Sequence, residues 1–180
     1  MNVKFKKIVL GGGCFWCLDP IFKNLTGVEK LVVGYAGGSV KSPTYEQVCT
    51  GRTNHAEVVE ITYNPEVISL SGLLEVFFQV HDPTTLNRQG ADKGTQYRSI
   101  ILVNDESEKE QVKEIVEKID QSNLWGSKIV TQIDVLTEFY PAEDYHQDYF
   151  EKNPWAGYCQ VVINPKVKKF KEKFANQLKK

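Results

Sequence analysis

The stretch Ile8-Val9-Leu10-Gly11-Gly12-Gly13-Cys14-Phe15-Trp16-Cys17 changes backbone state within a few residues. Ile8, Val9 and Leu10 form a short apolar run, the pattern of a buried strand. The glycine triplet makes a turn, and residues 15–25 read as a helix with Ile21, Phe22 and Leu25 on one side. Val28, Leu31, Val32, Val33 and Tyr35 mark a second strand over 28–35, ended by Gly37-Gly38. Strand, helix and strand with short connections make a β-α-β opening. Pro20 stands at the sixth position counted from Phe15, where it removes a hydrogen bond and crowds the Trp16 carbonyl. Cys14 to Leu18 is therefore predicted as a separate turn, with regular helix from Asp19-Pro20 onward.

The pattern repeats further along. His55 to Tyr63 reads as a strand. Leu70, Leu73, Leu74, Phe77 and Phe78 have the spacing of an amphipathic helix over 70–80, which Ser69 caps. Residues 81–96 form a long polar loop, and loops of that length usually have a role. Tyr97 to Val103 is predicted as a strand. A helix follows over 105–122, opened by Asp105 with Glu108 three residues on. Residues 129–139 read as extended, 141–150 as a short acidic-aromatic helix, and 155–163 fit no pattern cleanly. Asn164-Pro165 opens a last helix with Val167, Phe170, Phe174 and Leu178 along one face. Two β-α-β units in one chain predict an α/β (α+β) fold: a single domain over 1–180 with a ferredoxin-like core and loop and helix extensions.

At 180 residues with 41% hydrophobic and 25% charged residues, the chain can bury a sizeable core. A formal net charge of −1 steers it toward neither nucleic acid nor an anionic membrane. No apolar run approaches a membrane span, and the basic stretch Met1 to Lys7 leads into an apolar run too short for a signal-peptide core. The expected location is cytoplasmic, and the expected state is a monomer. Four cysteines are too few for a disulfide scaffold.

Chemistry centres on Cys14. A thiol where a strand meets a helix sees the positive end of the helix dipole and free N–H groups, and both favour the reactive thiolate. Cys17, three residues on, lies on the same side of a first helical turn. The pair reads foremost as a redox pair. A zinc site would need a second close pair, whereas Cys49 and Cys159 stand alone; two inert buried thiols are the third reading. Cys49 itself reads as a buried, apolar-like thiol. Glu57 shares a strand face with Val59, Ile61 and Tyr63. If that face turns inward, burial raises its pKa and keeps a proton available; if the strand is an edge, the carboxylate simply reaches water. Tyr45 and Tyr97 offer hydroxyls, Asp92 reads as a turn residue, and Arg52 and Arg98 read as ion-pair partners. His55, His81 and His146 have no metal-ligand spacing and read as structural. The glycine triplet is no dinucleotide fingerprint.

Taken together, Gly13-Cys14-Phe15-Trp16-Cys17, residues 33–38 (VGYAGG), 43–51 (PTYEQVCTG), 55–59 (HAEVV), 93–99 (KGTQYRS) and 142–147 (AEDYHQ) resemble the methionine sulfoxide reductase A family, in order and over most of the chain. The resemblance implies reduction of the S epimer of methionine sulfoxide, free or in proteins. It implies Cys14 as nucleophile, and Glu57, Tyr45 and Tyr97 as the groups that hydrogen-bond and protonate the sulfoxide oxygen. Phe15 and Trp16 become walls for the substrate's methyl group, and Asp92 and Tyr145 further substrate-binding residues. No bound cofactor or metal is implied; thioredoxin or another dithiol is the reductant. Many family members carry glycine at position 17 and resolving cysteines in a C-terminal tail. Here no cysteine follows Cys159, so the resemblance gives the resolving role to Cys17, with Cys159 in reserve and most simply structural. The competing readings are a general thiol–disulfide exchanger and a non-catalytic zinc or redox-sensing module.

Overall fold

The computed structural model describes residues 3–180; Met1 and Asn2, which begin the basic N-terminal stretch, lie outside the described residues. In chain order the elements are β1 (Lys6–Gly11), α1 (Phe15–Lys23), β2 (Val28–Ala36), α2 (Tyr45–Cys49), β3 (Ala56–Tyr63), α3 (Leu70–Val80), β4 (Arg88–Gln89), β5 (Asp92–Lys93), β6 (Ile100–Val103), α4 (Glu106–Gln121), β7 (Gln132–Val135), β8 (Phe139–Pro141), α5 (Tyr149–Lys152) and α6 (Asn164–Lys173). The main sheet runs β7-β6-β1-β3-β2-β8. Its inner four strands, β6-β1-β3-β2, pair antiparallel with one another. They come from the two units β1-α1-β2 and β3-α3-β6, the expected ferredoxin-like plan. The parallel strand β7 extends one edge and the antiparallel strand β8 the other.

Alternation along the strands decides which residues meet the helices. Ile8 and Leu10 of β1 join Val59, Ile61 and Tyr63 of β3, and Phe22, Phe77 and Phe78 of the helices, in one core. Val9, Ala36, Ala56 and Val58 fall on the opposite face, with Ile100 and Leu102 and under Leu136 and Phe139. The Ser69 hydroxyl accepts from Gly72 N–H at 3.0 Å and caps α3, and the Asp105 carboxylate accepts from Glu108 N–H at 2.8 Å and caps α4. Phe77 has no exposed surface. Phe77→Ala is expected to lower stability by about 3–5 kcal/mol, read as a fall in the denaturation midpoint.

Several local expectations are corrected. The helix is not broken at Asp19: α1 runs unbroken from Phe15 to Lys23 through Pro20. Proline inside a helix costs about 3 kcal/mol. Leu18, Ile21 and Phe22 are essentially unexposed, and burying each is worth about 1.5–3 kcal/mol, so packing prevails. Tyr97 is not in a strand. Thr95 to Tyr97 forms one 3-10 turn, and pairing begins at Ile100. The long polar loop contains the small hairpin β4–β5. The extended segment near 129–139 divides into β7 and β8. The short helix divides into a 3-10 turn, Asp144–His146, and α5. The ambiguous segment ends in a π turn, Cys159–Ile163, leading into α6. Arg98 makes no ion pair among the described residues. Its guanidinium instead donates to Gln132 Oε1 and to the carbonyls of Thr95, Gly37 and Asn54, binding three loops together.

Candidate active site

Cys14 is the N-cap of α1, with extended backbone (φ −64°, ψ 129°), and is only 9% exposed. The turn before it leaves no room for side chains. A Cβ on Gly12 would stand 2.8 Å from the His81 ring, and one on Gly13 would stand 2.6 Å from the Gln89 side chain. Gly13 also has φ +89°, which L side chains rarely adopt. Its N–H donates to the Tyr97 carbonyl at 3.2 Å, tying the Cys14 turn to the 3-10 turn.

Glu57 sits on β3 opposite Tyr35. Strand β3 lies between β1 and β2, so the edge-strand reading is removed and the carboxyl is 1% exposed. Burial pushes its pKa up to about 8, although Phe15 N–H donates to Oε2 at 3.1 Å and the Cys14 side chain also bonds it, both favouring the charge. The carboxyl is therefore protonated at neutral pH and touches the thiol.

The expected activation of Cys14 is corrected. Burial first, then the charge that Glu57 takes on once it ionises, push its thiol well up from the usual range, against a hydrogen bond from Trp16 N–H. The helix N-terminus offers less than the sequence suggested, because the Phe15 N–H is already given to Glu57. The resting site thus holds a protonated thiol beside a protonated acid.

Cys17 lies one helical turn on, 3% exposed, its Sγ 3.9 Å from the Tyr158 hydroxyl. That hydroxyl donates to Asp92 Oδ2 at 2.9 Å. Burial raises the Cys17 pKa, opposed by the charge of Lys166 and by the Tyr158 hydroxyl. All four cysteines are free. Cys49 is exposed, not buried as expected, because it ends the short helix α2 at the surface, where its thiol meets the Tyr45 hydroxyl. Cys159 is fully buried in the core.

The aromatic wall is built around a residue the sequence reading set aside. His146 is fully buried, and its Nδ1 accepts from Trp16 Nε1–H at 3.0 Å. Burial lowers its pKa, so the ring is neutral with its proton on Nε2, facing Glu143 Oε2 at 3.3 Å. Phe15, Tyr45 and Tyr145 place their rings 5.1, 4.5 and 4.0 Å from it, centre to centre. Trp16 also stacks on Tyr149 at 3.7 Å. Phe15 is wholly enclosed; Trp16 and Tyr45 are part-exposed, and Tyr145 stands at the rim. Tyr35 donates its hydroxyl to Glu143 Oε2 at 3.2 Å. Burial, more than any neighbouring group, pushes the Tyr97 pKa up.

The structure therefore gathers Cys14, Cys17, Glu57, Tyr45, Tyr97, Phe15, Trp16 and Asp92 around one small region. His146, Glu143, Tyr35 and Tyr158 join them unannounced. His146 lies inside the quoted 142–147 stretch and Tyr158 directly precedes Cys159, so position was the available signal. His55 and His81 are structural as read. His55 takes Gly38 N–H and meets the Val40 carbonyl, and His81 bridges the Phe77 carbonyl and Ser99 hydroxyl.

A family model described as peptide methionine sulfoxide reductase matches residues 6–178. The peptide methionine sulfoxide reductase MsrA of Nautilia profundicola is 56% identical over 164 residues, which cover 91% of this chain and 93% of that protein. Mxr1 from Saccharomyces cerevisiae in reduced form aligns with a TM-score of 0.81 and 41% identity, over 88% of this chain and 91% of that one. Mxr1 in complex with Trx2 aligns with a TM-score of 0.59 and 31% identity, over 83% and 87%. Agreement of this extent reaches from the first strand to the end of the C-terminal helical segment and takes in every element that borders Cys14: the chain belongs to the peptide methionine sulfoxide reductase family.

Proposed function

We propose that Cys14 and Glu57 together carry out the family's reaction, the thiol-dependent reduction of methionine S-sulfoxide, within one catalytic domain. The observation that carries this is the buried carboxyl of Glu57, protonated and bonded to the Cys14 side chain. Oxygen leaves a sulfoxide poorly unless it gains a proton, and Glu57 is a proton source placed beside the attacking sulfur. Cys14 attacks the sulfoxide sulfur, forming a transient S–S bond, while Glu57 protonates the oxygen and the thiol's own proton refills the Glu57 carboxylate. The hydroxyl then passes to the Cys14 sulfur as the S–O and S–S bonds break and the thioether leaves. The balance is one thiol and one sulfoxide in, one sulfenic acid and one thioether out. Tyr45 and Tyr97 hydrogen-bond the same oxygen, while Phe15 and Trp16, held by His146, enclose the methyl group, and Asp92 and Tyr145 border the entrance.

Cys17 then attacks the sulfenic sulfur of Cys14, releasing water and leaving a Cys14–Cys17 disulfide. A dithiol reduces that bond by exchange; the complex of the related Mxr1 with Trx2 supports thioredoxin in this role. Every group invoked up to the disulfide comes from one chain, so a monomer suffices. Four unpaired thiols suit a reducing compartment and hence the cytoplasm. A dithiol-coupled assay with separated epimers is expected to consume the S sulfoxide and leave the R form. Equal consumption of both, or disulfide exchange without sulfoxide loss, would overturn the reading.

A further inference from the structure

One cavity lies away from Cys14. It lies between the end of α3, the turn at Leu124-Trp125 and helix α6, and has a volume of about 360 Å³. That is within the usual range of small-molecule sites, about 300–1,000 Å³. Lys166, Lys169 and Lys173 border it from α6, where a spacing of three and four residues puts them along one side of the helix. None of the three forms an ion pair with a carboxylate among the described residues. Asp82 is the one acidic residue at the border, and its Oδ1 is already engaged by the Thr84 N–H and hydroxyl.

The other walls are apolar. Phe170 and Phe174 form the α6 side, and Leu124 and Trp125 close the top. Leu124 is 50% exposed and Trp125 37%, large apolar surface left open to solvent. The indole is nevertheless fixed, because its Nε1–H donates to the Phe78 carbonyl at 2.7 Å. A rigid aromatic wall costs little ordering entropy when something binds against it. Three cations on one rim and an apolar interior select for a ligand with an acidic head and a hydrophobic body. A plain inorganic anion would leave the apolar walls wet, and a neutral apolar molecule would leave the lysines without counter-charge.

We propose that this cavity is a binding site for a small amphipathic anion, an aromatic or branched aliphatic acid, separate from the catalytic centre. The carboxylate, sulfonate or phosphate of the ligand sits between Lys166, Lys169 and Lys173, and its apolar part packs on Trp125 and Phe170. The floor of the cavity includes His81 and Gln89, the residues that meet Gly12 and Gly13 behind Cys14.

The test titrates the purified full chain with 8-anilinonaphthalene-1-sulfonate, followed by dye fluorescence and calorimetry, and repeats it with uncharged N-phenyl-1-naphthylamine. One site per chain is expected, with a shift of the Trp125 indole signal in the NMR spectrum. Binding is expected to weaken about tenfold in the double variant Lys169→Gln/Lys173→Gln, the scale of losing a charge-assisted contact. The uncharged dye is expected to bind at least as weakly to the native chain. Leu124→Asp, a change at a half-exposed position, is expected to weaken both dyes. Sulfoxide reduction by the lysine variant stays at the native rate, showing that it is folded. An unmoved Trp125 signal, non-saturable binding, or undiminished affinity in either variant would overturn the proposal.

Discussion

Cys14→Ser is expected to reduce sulfoxide turnover below detection, whereas Cys17→Ser is expected to complete one turnover and then stop. The asymmetry follows from the two roles. A serine hydroxyl at position 14 is far too weak a nucleophile toward sulfur and cannot carry the electrons of a thiol. At position 17 the first sulfur has already acted, and only its release from the sulfenic state is lost. Quenched single-turnover product should equal one methionine per Cys17→Ser chain, with a sulfenic acid on Cys14 trappable by a dione reagent. Continued cycling of Cys17→Ser with thioredoxin would move the resolving role to another cysteine. Cys159 is the only other buried thiol, and it would have to leave the core to serve.

Glu57→Gln is expected to slow the same single turnover by roughly 10²-fold or more, the usual scale of general acid catalysis. Glutamine keeps the size and the Phe15 N–H contact but carries no transferable proton. The pH dependence supplies a second readout. With a pKa of about 8, Glu57 holds its proton below that value and loses it above, so the native rate should fall as pH rises through about 8. The Gln variant should lack that fall. The shift also acts on stability. The folded chain binds this proton more tightly than the unfolded chain, whose carboxyl has its ordinary value near 4.5. The stabilising contribution is complete below that ordinary value and is lost as pH rises to and through about 8. The variant's stability should therefore be flatter between these limits. A native rate unchanged through that range, or a Gln variant at full rate, would remove Glu57 from the chemistry.

The thiol of Cys14 shows how local reasoning and environment part company. A cysteine at a helix N-terminus should ionise easily, and that inference holds for an exposed cap. Here the cap is 9% exposed and the first helical N–H belongs to Glu57, so burial dominates and the thiol keeps its proton. In the proposed reaction ionisation is thereby coupled to turnover, with the thiol passing its proton to Glu57 as Glu57 gives one to the sulfoxide. Such coupling also spares the sulfur from oxidation between turnovers.

Periodicity and punctuation were enough to place the two β-α-β units, the caps at Ser69 and Asp105, and the apolar faces of α1, α3 and α4. These depend on neighbours close in the chain, and the spacing of side chains around a helix or along a strand is a local property. The quoted motifs likewise named Cys14, Cys17, Glu57, Tyr45 and Tyr97. What the chain alone left open was decided by contacts between distant residues: Glu57 as a central-strand rather than an edge carboxyl, Pro20 carried inside an unbroken helix, His146 as the hub of the aromatic wall, and Tyr158 between Cys17 and Asp92. The proton on Cys14 and the proton on Glu57 belong to this second class. Each is set by how much water and which charges the folded chain leaves around the group, and desolvation exists only once strands β1, β2 and β3 and helix α1 have closed over it.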